Sequence, residues 1–142
     1  MPKILVADQI AEAGLERMRA CPGVTFDVRH GLSPKELAEA VGQYEGMLIR
    51  SAVKITSETL AKPGKLEVIA RAGVGVDNVD LDSATAAGVL VLNTPDANTI
   101  STAEHTMAVM LALHRQVPQA HAHVASGQWK RGAFNGEELS GR

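Results

Sequence analysis

The sequence predicts an α/β protein built on a parallel sheet of five strands, and three observations predict it. Five short apolar runs recur between Ile4 and Leu92, separated by segments with helical spacing. Each run ends in a polar, charged or glycine residue, as strands do where they leave a buried sheet for a loop. Strand–helix–strand connections of this kind are right-handed crossovers, which make neighbouring strands parallel.

Ile4 to Ala7 reads as the first strand, closed by Asp8. Ala11 to Ala20 holds helix formers, with Leu15 and Met18 on one side. Val24 to Val28 alternates apolar and polar residues, the period of a half-buried strand. Ser33-Pro34-Lys35-Glu36 is a helix start, with a serine cap, proline at the first helical position and an acid in the first turn. That helix is expected to run to about Tyr44. Met47 to Ile49 forms the third strand and Arg50-Ser51 ends it. Thr56 to Ala61 is a short helix stopped near Pro63-Gly64. Leu66 to Ala70 is the fourth strand, ended by Arg71-Ala72-Gly73. Leu81 to Ala87 is a helix stopped by Gly88. Val89 to Leu92 is the fifth strand, ended by Asn93-Thr94-Pro95. Strand order 2-1-3-4-5, the flavodoxin-like arrangement, suits this succession.

The chain changes character near Ala97, where a domain boundary is expected. Ser101-Thr102-Ala103-Glu104 fits a capping box. The helix that follows, to about Gln116, is apolar nearly all round and needs cover on several sides. Pro118 should end or kink it, with a second helical piece to Ser126. The tail from Gly127 is polar and glycine-rich, with Trp129 and Phe134 as its possible anchors.

Composition narrows the function. The 142 residues carry a formal net charge of −2, without the basic excess of a nucleic-acid binder. The longest apolar stretch, Ala108 to Leu113, is too short to span a bilayer, and Met1-Pro2-Lys3 runs straight into a strand with no secretory pattern. A cytoplasmic protein is expected. The single cysteine, Cys21, permits no disulfide within one chain and reads as inert and half-buried. His105 and His114 stand nine apart and His121 and His123 two apart, so neither pair shares a helix face. No metal site is expected, and Ser51 has no base partner visible in sequence.

In an open parallel sheet, ligands sit beyond the carboxyl ends of the strands. Asp8, Arg50-Ser51, Arg71-Ala72-Gly73 and Asn93-Thr94 occupy four such ends. Arginine presents planar paired donors suited to carboxylate and phosphate. Gly73-Val74-Gly75 lets backbone N–H groups approach an anion. Together these residues suggest a pocket for a small molecule with two anionic groups. The plainer alternative for each arginine is a surface ion pair. Gly73-Val74-Gly75-Val76-Asp77-Asn78 does not make a dinucleotide fingerprint: Asn78 replaces the third glycine, and the next strand ends in Asn93 rather than an acid. Asp77 and Asp80 read as turn and helix-cap residues. Lys130-Arg131 beside Trp129 is either a solvated loop or a basic finger for another subunit's anionic pocket.

Three segments resemble the D-isomer-specific 2-hydroxyacid dehydrogenases: Leu48 to Ser51, Arg71 to Asp80, and Asn98 to Thr106. Gln116 to Ala120 and Gly127 to Arg131 fit the same family, so the resemblance covers essentially the whole chain. The tract from Arg71 to Thr106 is most similar to the branch acting on 3-phospho-D-glycerate.

The resemblance implies a substrate-binding domain over residues 1–97, incomplete because the family returns to it later in the chain. Residues 98–142 would form the hinge, an interface helix and the beginning of the NAD-binding domain. It implies oxidation of 3-phospho-D-glycerate to 3-phosphohydroxypyruvate with NAD, at the start of serine biosynthesis. Arg50, Ser51, Arg71, Gly73, Val74, Gly75 and Asn98 match substrate-side positions, and Val74 also matches a cofactor contact. Residues 101–117 match a dimer-forming region, and Lys130 and Arg131 a basic segment near the neighbouring subunit's site. The family's glycine-rich NAD fingerprint and its catalytic Arg, Glu and His would lie beyond Arg142. This chain alone is therefore expected to be inactive. Two other readings stay open: a stand-alone module that binds a phosphorylated metabolite without chemistry, and a relative using another 2-hydroxy acid such as glycerate.

Overall fold

The computed structural model describes residues 1–141. Five strands, β1 (Lys3–Val6), β2 (Thr25–Val28), β3 (Gly46–Ile49), β4 (Val68–Arg71) and β5 (Leu90–Leu92), form one parallel sheet in the order β2-β1-β3-β4-β5. Helices α1 (Glu12–Arg19), α2 (Pro34–Val41), α3 (Ser57–Leu60) and α4 (Leu81–Ala86) connect them. The parallel sheet and its order agree with the sequence reading. The expected pauses also hold: Ser33 and Glu36 make the capping box of α2, and the Asp80 side chain caps α4 by accepting from the Ser83 N–H.

Register explains where the core sits. Leu5, Met47, Ile69 and Val91 align across four strands on one face of the sheet. Leu5, Met47 and Ile69 are buried there with Leu37, Val41 and Leu60 from α2 and α3 and Ala84 from α4. The alternate row runs from Ile4 through Gly46 and Val68 to Leu90, and both Leu90 and Leu92 of edge strand β5 remain exposed. Helix α2 stops at Val41, short of Tyr44, because Gly42 closes its last turn. Tyr44 is instead buried, with its hydroxyl donating to Asp27 at 2.9 Å. Cys21 is exposed rather than half-buried, since it lies in the turn after α1 and not on that helix's packed side.

Backbone packing divides the chain into two compact units, Met1–Ala97 and a second beginning at Asn98. The second unit holds α5 (Thr99–His114), α6 (Val117–Ala125) and a short 3-10 turn, Arg131–Ala133. Its start corrects one expectation. The Ser101–Glu104 capping box does not form: α5 begins at Thr99, Asn98 is its cap residue without a side-chain bond, and the Ser101 hydroxyl donates to the Asn98 carbonyl from inside the first turn. The break between α5 and α6 falls at Gln116, which adopts a left-handed backbone with φ of 51°, and Pro118 sits in the first turn of α6. Trp129 is 72% exposed and is not a buried anchor. Phe134 takes that place, packing edge-on to His123 with 5.1 Å between ring centroids.

Candidate functional site

Three loops leave the carboxyl ends of β3, β4 and β5, and side chains tie them to one another. The Arg50–Val53 loop follows β3, and Ile49 lies opposite Arg71 in the strand register. Arg50 therefore leaves the sheet one residue beyond the pair at which β4 ends. Arg50 and Ser51 are exposed, while Arg71 is half-buried. Among the described residues neither arginine forms an ion pair or donates a side-chain hydrogen bond; Arg71 Nε is buried without a partner.

The glycines of the β4 loop answer to the side chains around them. The Arg71 guanidinium folds over Gly73 and fills the space a Cβ there would need. Asp77 Oδ1 stands 2.8 Å from where a Gly75 Cβ would sit. The Gly73 N–H donates to the Arg71 carbonyl at 2.9 Å, so that amide is already engaged. Two further bonds tie this loop to the end of β5: Thr94 N–H to the Gly73 carbonyl at 3.0 Å, and Asn93 Nδ2 to the Val74 carbonyl at 2.7 Å. The Val74 side chain stays 41% exposed between them.

Two residues hold the β3 loop: Asp8, expected at a ligand-facing strand end but given no role there, and Asn78, read only as the residue that breaks a glycine fingerprint. Asp8, only 8% exposed at the end of β1, accepts the backbone N–H groups of Arg50, Ala52 and Val53 on one oxygen, at 3.1, 3.0 and 3.4 Å. Its other oxygen accepts from the Gln9 N–H at 2.8 Å. Asn78 Nδ2 donates to the carbonyls of Arg50 and Val53, both at 2.7 Å. Backbone bonds on either side, Ile55 N–H to the Asn78 carbonyl and Asp80 N–H to the Ile55 carbonyl, lock the β3 and β4 loops together.

Burial pushes the Asp8 carboxyl up, but the N–H donors of Gln9, Ala52, Arg50 and Val53 outweigh it and hold the group below its ordinary range. A carboxyl lowered on folding adds stability above its unfolded pKa and withdraws it as pH falls through the folded value. The first unit should thus lose stability as pH falls below the ordinary carboxylate range, and Asp8→Asn should flatten that limb in acid titrations followed by circular dichroism. An unchanged acid limb in Asp8→Asn would count against this assignment.

A pocket of about 400 Å³ opens beside Asp8, lined by Gln9, His30, Leu32, Ala52 and Lys54 but by neither arginine. In the second unit, Asn98 starts α5. There Lys130 and Arg131 line a separate pocket of about 250 Å³ with His123, Trp129 and Phe134. The described residues contain no group of three or more His, Cys, Asp or Glu placed to hold a metal ion, and no helix long and apolar enough to cross a membrane.

The residues present do not fit a whole dinucleotide. The glycine turn ends in Asn78 rather than a third glycine, its helix α4 has six residues, and β5 is followed by Asn93 where a ribose-binding acid would stand.

Comparison with known proteins agrees with this architecture. The family model described as "D-isomer specific 2-hydroxyacid dehydrogenase, catalytic domain" matches residues 4–138. The chain is 45% identical to the D-3-phosphoglycerate dehydrogenase of Archaeoglobus fulgidus over 99% of its own length and 26% of that enzyme's. It is 44% identical to the D-3-phosphoglycerate dehydrogenase of Methanocaldococcus jannaschii over its whole length, which covers 27% of that relative. The chain thus spans about a quarter of the length of these curated relatives. Among solved structures, a Thermus thermophilus protein superposes with a TM-score of 0.82 at 32% identity, over 96% of this chain and 45% of that one. The NAD+-bound 3-phosphoglycerate dehydrogenase of Entamoeba histolytica superposes with a TM-score of 0.71 at 26% identity, over 80% of this chain and 39% of that one. By sequence and by fold, the chain belongs to the D-isomer specific 2-hydroxyacid dehydrogenase family.

Proposed function

We propose that this chain is the N-terminal, substrate-binding portion of an NAD-dependent D-3-phosphoglycerate dehydrogenase. Arg50 and Arg71 bind the two anionic groups of 3-phospho-D-glycerate. The observation behind this reading is two arginines on adjacent strand ends, neither paired with an acid among the described residues, on loops fixed by side-chain hydrogen bonds. A guanidinium held without a carboxylate partner is ready for a carboxylate or phosphate from outside. Ser51, Gly73 and Gly75 are further substrate-side positions, Val74 is also a cofactor contact, and Asn98 is assigned to the substrate by its match to the family's hinge residue. Residues 1–97 are the substrate-binding domain, and the segment from Asn98 begins the NAD-binding one. Hydride transfer to NAD, with its proton transfer, belongs to residues this chain does not contain.

A nuclear magnetic resonance titration of the chain tests this reading. Millimolar 3-phospho-D-glycerate should shift the amides of residues 50–53 and 72–75, and D-glycerate should bind more weakly. Equal binding of the two acids would overturn the assignment of phosphate to an arginine.

The same reading places the protein in the cytoplasm and makes it a homodimer through residues 101–117. Met107, Val109, Leu111 and Val117 are about half exposed and Leu113 is 72% exposed. Apolar surface of that continuity favours association. Lys130 and Arg131 would then reach the neighbouring subunit's substrate site. Light scattering should show a dimer, and a monomer at high protein concentration would overturn this arrangement.

A further inference from the structure

We propose that Asp8 and Asn78 are positioning residues that set the Arg50–Ser51 loop for an incoming acid by holding its backbone from two opposite sides. The inference rests on the reading above, in which Arg50 and Arg71 receive the anionic groups.

The two residues divide the work by hydrogen-bond type. A carboxylate only accepts, and Asp8 meets the N–H groups of Arg50, Ala52 and Val53. An amide nitrogen only donates, and Asn78 Nδ2 meets the carbonyls of Arg50 and Val53. These two carbonyls also fix which way the Asn78 amide points, since the opposite orientation would set oxygen against oxygen. Residue 50 is therefore held at both its N–H and its C=O, and so is residue 53. A four-residue loop with both ends fixed by side chains from outside it has little freedom to move the side chains of Arg50 and Ser51.

The holders come from elsewhere in the site. Asp8 closes β1, the strand beside β3, and Asn78 ends the glycine loop that follows Arg71. Asn78 thus sets the spacing between the loop that carries Arg50 and the loop that begins at Arg71. Binding one small molecule with two arginines requires that spacing to be fixed beforehand, because ordering a loose loop at the moment of binding subtracts from affinity. Asp8 is buried and Asn78 half-buried, whereas Arg50 and Ser51 are exposed and open to a ligand.

The donor–acceptor division gives two same-size substitutions with opposite expected results. Asp8→Asn keeps one acceptor oxygen for the three loop amides and gives up only the bond from the Gln9 N–H, so it should restore part of the affinity lost in Asp8→Ala. Asn78→Asp removes the donor and turns an oxygen toward two carbonyls, so it should lose at least as much as Asn78→Ala. Affinity for 3-phospho-D-glycerate should fall about tenfold or more in Asp8→Ala, Asn78→Ala and Asn78→Asp, each lost hydrogen-bond set exceeding the factor that defines a tenfold change.

The test is the ligand titration of the whole chain, with amide hydrogen exchange measured at residues 50, 52 and 53. In the wild type these three amides should exchange slowly although their loop is exposed, a result that needs no variant to fold. The Asp8 and Asn78 losses should accompany faster exchange at those amides, with the spectrum of the β-sheet unchanged. Arg71→Ala should lose binding with exchange at residues 50, 52 and 53 intact. Wild-type binding that survives Asp8→Ala and Asn78→Asp, or fast exchange of the three amides in the wild type, overturns the positioning role alone. No binding by the wild type overturns the two-arginine site and this role with it.

Discussion

Arg71→Ala is expected to weaken binding of 3-phospho-D-glycerate by about ten- to a hundredfold, the loss for one charge-assisted contact to an anion. Arg71 is well placed for so large an effect. It ends β4 opposite Ile49, and its guanidinium lies over Gly73 with Nε buried and unpartnered among the described residues. Its position costs little to hold, because the glycine leaves room for it. Arg71→Lys keeps the charge but gives up the planar fork, so it should recover only part of the affinity. Arg50, exposed on its loop, should show a smaller loss in Arg50→Ala and a steeper dependence on salt, since exposed charges are screened more than half-buried ones. Calorimetry of the three variants with 3-phospho-D-glycerate and D-glycerate separates the roles. The arginine that meets the phosphate is the one whose removal makes the two acids bind alike. If Arg71→Ala binds like the wild type, the β4 end is not part of the substrate site.

Much of this site is legible in the sequence because parallel strands of an α/β sheet put their carboxyl ends on one edge. Arg50 and Arg71 follow apolar runs of the right length, so the sheet brings them together whatever else the chain does. Caps at Ser33 and Asp80 are legible because each contacts an amide three residues on. The place of Asp8 at a strand end is legible too, but the partners of Asp8 and Asn78 are not. Asp8 reaches partners 42 to 45 residues away, and Asn78 reaches back 25 and 28. No local pattern encodes such contacts; they exist because β1 lies beside β3 and because Ile55 bridges Val79. Asn78 even draws attention for the wrong reason, as the residue that spoils a glycine fingerprint, when its amide is what joins the two loops. The helix α5 shows the reverse error. Ser101-Thr102-Ala103-Glu104 has the letters of a capping box, yet Ser101 is already helical, and its hydroxyl turns back to the Asn98 carbonyl. A cap motif specifies partners only if its first residue is extended, and the letters alone do not decide that.

The largest stability loss is expected from Gly64→Ala, at a position remote from both arginines. Gly64 has a φ of +58°, in the left-handed region that costs a residue with a side chain roughly 1 kcal/mol or more. A Cβ there would also meet rigid neighbours: the Gly42 carbonyl oxygen at 2.5 Å and the Gly42 Cα at 2.6 Å. Those atoms close the last turn of α2, and the Gly42 carbonyl accepts from the Lys65 N–H at 3.1 Å. Backbone cannot rotate aside as a side-chain tip can, so either the α3–β4 connection lifts from α2 or the Lys65 bond breaks. Overpacking of this kind adds about 1–3 kcal/mol to the conformational cost. A total of about 3 kcal/mol should lower the melting temperature of a unit this size by more than about 10 °C. Gly42→Ala is the matched control. Gly42 has an ordinary φ of −66°, and its added Cβ would come no closer than 3.3 Å to the Lys62 carbonyl oxygen. It should therefore cost far less, although it sits on the other side of the same contact. Thermal unfolding of the two variants decides the matter: equal melting temperatures would mean that α2 and the α3–β4 connection are not packed backbone to backbone. The difference matters for the site, because α2 and α3 together bury the face of Met47 and Ile69, two residues before the strand ends that bear Ile49 and Arg71. A Gly64 variant that melts early but still binds 3-phospho-D-glycerate in the cold would show that the arginine loops draw their order from Asp8 and Asn78, and not from the general stability of the helical layer beneath them.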